Sequence, residues 1–329
     1  MKTLIKEISG KSILFITTKN LDYIRNTQEI ELLKQYAASV HVIGSSSPSY
    51  PRRLLSVWAR LLLTSMKRYS VVFIGFAPQL IVPFFPLKFR KTFLIEDFFI
   101  SFYDTLICDR KKFPPKSLPG RLLFLVDRHT IRRAGLIICD THAHGRYFAS
   151  EFGPRAAMQT LYLQADTAVY YPRASHHSSP GLHVLYFGSV LPLQGLPVIL
   201  DAVRILMDRE DIHFTIIGPI PDQWEKPENE RIRYFPWLSQ EALAGEIADA
   251  DLCLAGHFHG TIQKARRTIP GKAYIYEAMG KPMILGDNPA TRERERDWQV
   301  PAFYVPMGDA RALADCILHF LSSYSSLRT

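Results

Sequence analysis

Glycines and cations occur close together in the C-terminal half of the chain, in a pattern typical of a phosphate-binding site. Gly188 follows a β-rich run, and Lys272 comes directly after a Pro-Gly pair where a helix is expected to begin. Glycine lets backbone amides approach an anion, and a helix N-terminus with a lysine offers positive charge. Lys264 and Arg266 lead into the same loop. We predict an anion site centred on Lys272; a solvated lysine and an ordinary glycine turn are the alternatives.

Histidines form two HxH pairs, His142 with His144 and His257 with His259. A zinc site needs three or four ligands at recognisable spacing, and neither pair has an obvious third ligand. We therefore expect no metal. For His257, which follows a predicted strand, we expect a hydrogen bond to a phosphate or a sugar.

These residues are positioned by an alternation of β-rich runs and amphipathic stretches. The predicted strands are 12–17, 40–44, 71–76, 92–96, 136–140, 184–188, 213–218, 231–235, 252–256, 282–287 and 303–306. Helical periodicity marks 23–38, 52–68, 121–133 and 143–152. This alternation predicts an α/β fold with two successive parallel sheets.

A polar stretch between Pro172 and Gly181 interrupts the alternation. We predict an N-terminal Rossmann-like domain over 1–172, a linker over 173–181, and a C-terminal Rossmann-like domain over 182–329, whose last helix could return to the N-terminal domain. Ligands of doubly wound sheets bind at the carboxyl ends of the strands. We therefore expect the site in a cleft that the two domains face.

Composition excludes several classes of protein. With 329 residues, 47% apolar and 22% charged, the chain fits a soluble two-domain protein. Its 4 cysteines lie far apart, which is typical of a reducing compartment. The apolar stretch 71–87 is interrupted by prolines and is too short to span a bilayer. We expect a cytoplasmic protein without a membrane-crossing helix.

Positive charge is concentrated in the first 172 residues, which hold 24 Lys and Arg against 12 Asp and Glu; the remainder holds 16 against 19. The segment 52–68 places leucines and Trp58 toward one side and Arg53, Arg60 and Lys67 toward the other. We predict contact with an anionic membrane surface, with a sheet-covering helix as the alternative. Basic and apolar residues are interleaved without an aromatic stacking platform, so nucleic acid is not expected.

The second half resembles glycosyltransferase family four along most of residues 185–290. The segments that match the family's landmarks in order are 185–195, 200–202, 213–218, 234–237, 247–254, 264–272, 277–284 and 286–290. In the first half, 22–26, 99–107 and 140–144 are similar to acceptor-domain landmarks of one bacterial branch. The resemblance implies the GT-B architecture and transfer of a sugar from a nucleoside-diphosphate sugar.

The resemblance further implies a retaining, metal-independent transfer to a lipid-linked or polysaccharide acceptor at the inner face of the cell membrane, without a cofactor. Asp97 and Asp104 follow a central strand and could orient the acceptor hydroxyl as catalytic residues, or cap the next turn. The candidate donor-binding residues are Gly188, Ser189, His257, Lys264, Arg266, Lys272 and Glu277. The acceptor-side candidates are Asp22, Tyr23, Arg25 and Asn26.

Two departures from the family concern charge. An Arg is usual where Ser189 stands and a Lys where Gln194 stands, and that pair normally grips the diphosphate. Either Lys272 and Lys264 take over this role, or the enzyme is weakened.

A third departure concerns the family's nucleotide-binding glutamate, which aligns with either Ile275 or Glu277. Ile275 shares a helical face with Lys272, whereas Glu277 points about 140° away. Glu277 is therefore open between a ribose contact and a structural role.

Two other functions stay open. A noncatalytic GT-B-like subunit that binds a nucleotide or a partner would explain the missing Arg/Lys pair, and a sugar-nucleotide epimerase of the same architecture would need no acceptor. The sugar, the base, the acceptor and the oligomeric state are not predicted.

Overall fold

The computed structural model describes residues 2–175 and 180–328, with side chains up to Ser323. The chain divides into two compact units, 1–164 and 165–329. Four residues of the predicted linker, 176–179, lie outside the described residues.

The N-terminal unit is a parallel six-stranded sheet with the strand order β2-β1-β3-β4-β5-β6. Its strands are β1 (Ser12–Thr17), β2 (Ser39–Ile43), β3 (Val71–Phe76), β4 (Phe93–Asp97), β5 (Leu136–Cys139) and β6 (Ala157–Thr160). Its helices are α1 (Lys2–Ile8), α2 (Ile24–Tyr36), α3 (Tyr50–Leu63), α4 (Leu118–Arg133) and α5 (His142–Phe152).

Side-chain alternation along these strands separates two cores. Ile13 and Phe15 of β1 pack with Leu33 of α2, and the same core includes residues of α1. Leu14 and Ile16 point to the other face, where α3 packs. By the same alternation, α4 and α5 pack beside β5 on the face of the sheet that α3 covers. The sheet is thus covered on both faces, as all-parallel sheets require.

The C-terminal unit repeats this plan with the order β12-β11-β10-β7-β8-β9. Its strands are β7 (Leu182–Phe187), β8 (Ile212–Ile217), β9 (Ile232–Phe235), β10 (Leu252–Gly256), β11 (Met283–Gly286) and β12 (Ala302–Val305). Its helices are α6 (Leu196–Ile205), α7 (Gln240–Asp249), α8 (Gly271–Ala278) and α9 (Ala310–Arg328). The last helix, α9, packs through Leu313 and Ile317 into the same core as α6.

Every predicted strand is present, with ends displaced by two residues or fewer. The sequence pattern missed α1 and β6. The β6 segment Ala-Met-Gln-Thr is half-exposed at the sheet edge and lacks the β-branched run that marks the other strands. Both predicted parallel sheets are confirmed.

Candidate functional site

Two loops and one helix start meet at the carboxyl end of the C-terminal sheet. The Phe258 amide, after β10, donates to the Gln194 carbonyl, after β7, at 3.1 Å. A Cβ at Gly195 would lie 2.5 Å from the His259 amide nitrogen, so only glycine permits this approach. The first turn of α8 brings Lys272 to the same place.

Lys272 is held by a neutral oxygen and an aromatic face. Its Nζ donates to Gln194 Oε1 at 2.9 Å, and the Tyr186 hydroxyl donates to the same oxygen at 2.6 Å. The ammonium lies 4.0 Å from the centroid of the Tyr186 ring. Lys272 is 6% exposed, and this burial holds its pKa well below the ordinary value. A bound anion would favour the charged form of Lys272.

Gly188 provides the space for this cluster. A Cβ at Gly188 would lie 2.3 Å from Gln194 Oε1 and 2.8 Å from Lys272 Nζ. The residue after β8 also lies close to the backbone of Gly188, since a Cβ at Gly218 would meet the Gly188 carbonyl oxygen at 2.2 Å. Gly188 is therefore needed for the contact between Gln194 and Lys272, and the approach of its backbone to a phosphate stays a prediction.

His257 is buried next to these cations. Burial, followed by the charges of Lys272 and Lys264, lowers the pKa of His257 to about 3, so the ring is neutral at ordinary pH. Its Nδ1 is buried and has no hydrogen-bond partner among the described residues. A neutral imidazole can donate to or accept from a bound ligand.

The remaining cations of this loop are placed differently. Lys264 is half-buried in the 3-10 turn Gln263–Arg266 and acts electrostatically on His257. Arg266 is exposed and its guanidinium lies 3.4 Å from the Gly260 carbonyl oxygen of its own loop. Ser189 is exposed beside Gly188. The structure thus brings Lys264, His257 and Lys272 together, with Arg266 and Ser189 at the surface.

Glu277 is committed elsewhere in the unit. Its carboxylate forms a bidentate pair with Arg294 at 2.9 and 3.1 Å and accepts the Gln299 amide at 3.1 Å. The Arg294 guanidinium in turn lies 4.2 Å from the centroid of the Trp298 ring. We therefore reassign Glu277 from donor binding to a structural ion pair, as its angular distance from Lys272 on α8 allows.

In the N-terminal unit, Arg25 and Asp97 form a buried bidentate pair. Arg25 Nε and Nη2 donate to the two Asp97 oxygens, each at 2.9 Å, and Nη1 donates to the Leu161 carbonyl. Glu29 lies 3.3 Å from Arg25 Nε, and burial holds the Glu29 pKa well above its ordinary value. Both Arg25 and Asp97 are therefore structural here, which corrects their expected acceptor-side and catalytic roles.

The other predicted acceptor-side residues, and the catalytic candidate Asp104, separate into buried and accessible ones. Asn26 is buried and links Thr17 Oγ1 to the Asn20 carbonyl, which shapes the loop after β1. Asp104 is buried too, and its amide donates to Ser101 Oγ at 2.9 Å. Asp22 is exposed and Tyr23 is half-buried.

Tyr23 belongs to an aromatic group that the sequence patterns did not reveal. Its ring meets Phe76 edge-on with 5.8 Å between centroids, and Phe76 meets Phe99 at 5.8 Å. Lys19 Nζ lies 5.6 Å from the Tyr23 ring centroid and 5.7 Å from that of Phe76. We call Lys19, Tyr23, Phe76 and Phe99 the aromatic platform; all four are half-buried beside the carboxyl ends of β1, β3 and β4.

The predicted membrane helix α3 is rotated relative to expectation. Arg53 is buried and donates to the carbonyls of Thr18 and Ser47, so its expected solvent-facing position is wrong. Trp58 donates to the Leu80 carbonyl at 2.9 Å and packs on Phe84. Arg53 lies on the buried stripe of α3 with Val57 and Leu61, and Trp58 makes its contacts within the same unit. This is the packing that a sheet-covering helix requires.

Arg60 and Lys67, the other two predicted membrane contacts, are exposed. Arg60 nevertheless donates to the Gly44 carbonyl at 2.7 Å. Across residues 2–175 and 180–328, no helix is both long and apolar enough to cross a bilayer.

Tyr186 and Gln194 complete the Lys272 site, although neither was predicted to bind the donor. In the sequence, Tyr186 is one residue of an apolar predicted strand, and Gln194 stands where the family usually has a lysine. Their contact depends on the turn at Gly188, which short-range patterns do not specify.

Comparison with known proteins agrees with this architecture. Residues 181–323 match the family model described as Glycosyl transferases group 1. No curated protein matches the chain in sequence. Among solved structures, sucrose-phosphate synthase from Thermosynechococcus elongatus is 12% identical, with a TM-score of 0.64 over 95% of this chain and 90% of that one.

Two other solved structures are similar at this level. HepE from Anabaena in complex with UDP is 15% identical, with a TM-score of 0.61 over 95% of this chain and 90% of that one. A glycosyltransferase from Rickettsia africae ESF-5 is 13% identical, with a TM-score of 0.61 over 95% and 88%. The two parallel α/β units have the GT-B fold. With its C-terminal group 1 domain, the chain is a glycosyltransferase.

Replacing Gly188 tests the steric basis of the site. In Gly188→Ala, the added methyl group displaces the flexible ends of Gln194 and Lys272 and leaves the backbone in place. We expect affinity for nucleoside diphosphates to fall by roughly tenfold or more, as one charge-assisted hydrogen bond is lost. Titration calorimetry measures the effect. Gly245→Ala is the control, since a Cβ there meets no atom within 4 Å; equal affinities in both variants would contradict the proposed geometry.

Replacing Glu277 tests its reassignment. Glu277→Gln breaks the bidentate pair with Arg294, which is 15% exposed, and should lower the free energy of unfolding by about 1–2 kcal/mol. Donor affinity should not change. Denaturant unfolding and nucleotide titration are compared with Glu210→Gln, an exposed carboxylate. Weaker donor binding at unchanged stability would return Glu277 to the ribose site.

Proposed function

We propose that this protein transfers a sugar from a nucleoside-diphosphate sugar to a lipid-linked or polysaccharide acceptor, as a member of a bacterial branch of family four. The observation that carries the proposal is Lys272, an ammonium buried against Gln194 and Tyr186 over Gly188. It stands in the first turn of α8, within the segment that matches the group 1 model. HepE, which shares this fold, is described in complex with UDP and with UDP-glucose.

The reaction needs positive charge where the leaving diphosphate develops negative charge. In this proposal Lys272 contacts the diphosphate, the α8 N-terminus adds its dipole, and Lys264 adds a second cation. Neutral His257 donates a hydrogen bond without adding charge. These groups stabilise the leaving group without a metal, and retention of configuration follows from the family resemblance.

Gln194 explains how the site works without the usual Arg/Lys pair. Its carboxamide oxygen accepts from both Lys272 and Tyr186 and so fixes the lysine in place without neutralising it. A carboxylate there would compete with the diphosphate for the ammonium. We therefore propose that Gln194 positions Lys272 and makes no phosphate contact itself.

We place acceptor binding at the aromatic platform rather than at Asp97. Sugar rings carry apolar C–H faces that pack on flat aromatic side chains, and Lys19 can pair with an acceptor phosphate. The three rings lie beside the carboxyl ends of the strands, the edge at which ligands of such sheets bind. A lipid-linked acceptor would require the enzyme to work at the cytoplasmic surface of a membrane.

One observation favours a noncatalytic nucleotide-binding subunit instead. Ile275, not a carboxylate, shares the helical face of Lys272, and Glu277 is bound to Arg294. Incubation with a panel of nucleotide sugars separates the functions. Lipid-dependent release of nucleoside diphosphate supports the transferase, conversion of the donor sugar without an acceptor identifies an epimerase, and binding without turnover identifies the subunit.

Removing the Lys272 charge should weaken donor binding or transfer by roughly 2–4 kcal/mol, because a charge-assisted phosphate contact is lost. Lys272→Met keeps the apolar stem against Tyr186. Arg296→Met removes one exposed charge from the same unit as the control. Donor KM and kcat are measured for both. Turnover of Lys272→Met at the wild-type rate would eliminate Lys272 from the mechanism.

Packing of the acceptor on the aromatic platform is tested with Phe76→Leu, which keeps apolar volume and removes the ring. The acceptor KM should rise by about threefold to tenfold with the donor KM unchanged, since one aromatic contact is worth about 0.5–1.5 kcal/mol. Tyr69→Leu removes an aromatic ring that precedes β3, at its other end. If both variants changed acceptor KM equally, the platform would not be the acceptor site.

A further inference from the structure

The helix α4 has an inverted distribution of polarity. Its buried residues are Gly120, Asp127, Thr130 and Ile131. Its leucines at i, i+4 and i+7 point outward: Leu118 is 81% exposed, Leu122 60% and Leu125 56%. Surface helices normally bury their apolar stripe and expose their charges. This helix therefore presents an apolar stripe that the fold itself leaves uncovered.

Asp127 fixes this orientation of the helix. Its buried carboxylate accepts from Ser101 Oγ at 2.6 Å, Gln79 Nε2 at 2.9 Å, and the amides of Tyr103 and Phe102 at 2.8 and 3.2 Å. Rotating the leucines inward would expel this carboxylate from four donors. Each of these hydrogen bonds to a charged group is expensive to lose, so the leucines stay outside.

The segment that precedes α4 adds positive charge to the same surface. Every residue of 110–116 is exposed, including Phe113 at 42%. No Asp or Glu occurs in 110–126. The cations of this stretch are Arg110, Lys111, Lys112, Lys116 and Arg121. We call Phe113, the three exposed leucines of α4 and these five cations the α4 face.

An apolar cavity opens beside the α4 face. It has a volume of about 270 Å³ and is lined by Tyr103, Pro115, Gly120, Arg121, Phe124 and Leu125. The rings of Tyr103 and Phe124 meet edge-on at 5.4 Å between centroids. Arg121 and Leu125 belong to both the cavity wall and the α4 face. This surface can therefore bind an apolar chain and an anionic group at the same time.

We propose that the α4 face docks the N-terminal unit on an anionic lipid bilayer, with the leucines and Phe113 among the acyl chains and the cations at the head groups. This inference deepens the proposed function, since it names the surface by which the enzyme reaches a lipid-linked acceptor. Apolar residues flanked by Lys and Arg have the composition that binds such interfaces.

Charge complementarity selects the bilayer over a second copy of this chain. Two copies meeting by a twofold axis would place this acid-free cluster of five cations against itself, with mutual repulsion. An anionic membrane instead attracts each cation while its acyl region takes up the leucines. The exposed leucines likewise offer nothing to a nucleic acid backbone.

The surface extends toward α3 on the same face of the sheet. Phe84 is 57% exposed and packs on Trp58 of α3 at 4.7 Å between ring centroids. Leu62 and Leu63 of α3 are exposed as well. Membrane contact by α3 would therefore use these apolar residues in place of Arg53 and Trp58.

Vesicle co-sedimentation of the full chain tests the proposal, with phosphatidylcholine vesicles that contain or lack phosphatidylglycerol. Replacing Lys111, Lys112 and Lys116 with Gln should reduce affinity for the anionic vesicles by on the order of a hundredfold, since each basic residue near the surface contributes about fivefold. Replacing Leu118, Leu122 and Leu125 with Gln should reduce it by about tenfold or more.

The matched control replaces Lys2, Lys6 and Lys34 with Gln, which removes three exposed cations from α1 and α2 on the opposite face of the sheet. It should bind like wild type. Equal losses in the control and the lysine variant, or wild-type binding by the leucine variant, would overturn the proposal. Circular dichroism verifies folding, and because all substituted leucines are exposed we expect unchanged spectra.

Donor titration separates this inference from the proposed function. Wild-type protein that binds nucleotide sugars but not anionic vesicles would overturn only the α4 face. Vesicle binding without any nucleotide-sugar binding would overturn only the transferase. A loss of self-association in the leucine variant, measured by sedimentation without lipid, would assign this surface to a second copy instead.

Discussion

The contact between the Lys272 ammonium and the Gln194 carboxamide oxygen depends on most of the C-terminal unit. It needs Gly188 without a Cβ, Gly218 beneath it, and the loop after β10 bound to the Gln194 carbonyl. A buried cation that is matched with a neutral oxygen and an aromatic ring keeps its demand for an anion. The buried ammonium therefore lacks an anionic partner among the described residues around it, and we propose that a diphosphate supplies one.

Two carboxylates, unlike Lys272, have partners of opposite charge. Asp97 is held by Arg25, and Glu277 is held by Arg294, both through two hydrogen bonds. Removing one partner of such a pair leaves an uncompensated charge, so both carboxylates are held by their internal ion pairs. In the proposed function, the chemistry accordingly depends on cations, a neutral histidine and aromatic side chains.

A buried carboxylate also explains the orientation of α4. Its buried Asp127 organises the loop after β4 through four hydrogen bonds, and the leucines of the helix must then face outward. An internal polar requirement thus produces an external apolar surface. Flanking lysines and arginines give that surface the sign of charge that an anionic bilayer attracts.

The amino-acid sequence by itself determined the two parallel α/β units, because strand and helix periodicities are local and β-rich runs alternate with helical stretches. It also predicted that Lys272 lies at the start of a helix after Pro-Gly, which the structure has. Only the tertiary structure decided that Glu277, Asp97 and Arg53 face internal partners. Those partners, Arg294, Arg25 and the carbonyl of Thr18, are distant in sequence. A side chain's partner depends on helix rotation and packing, which no single segment encodes.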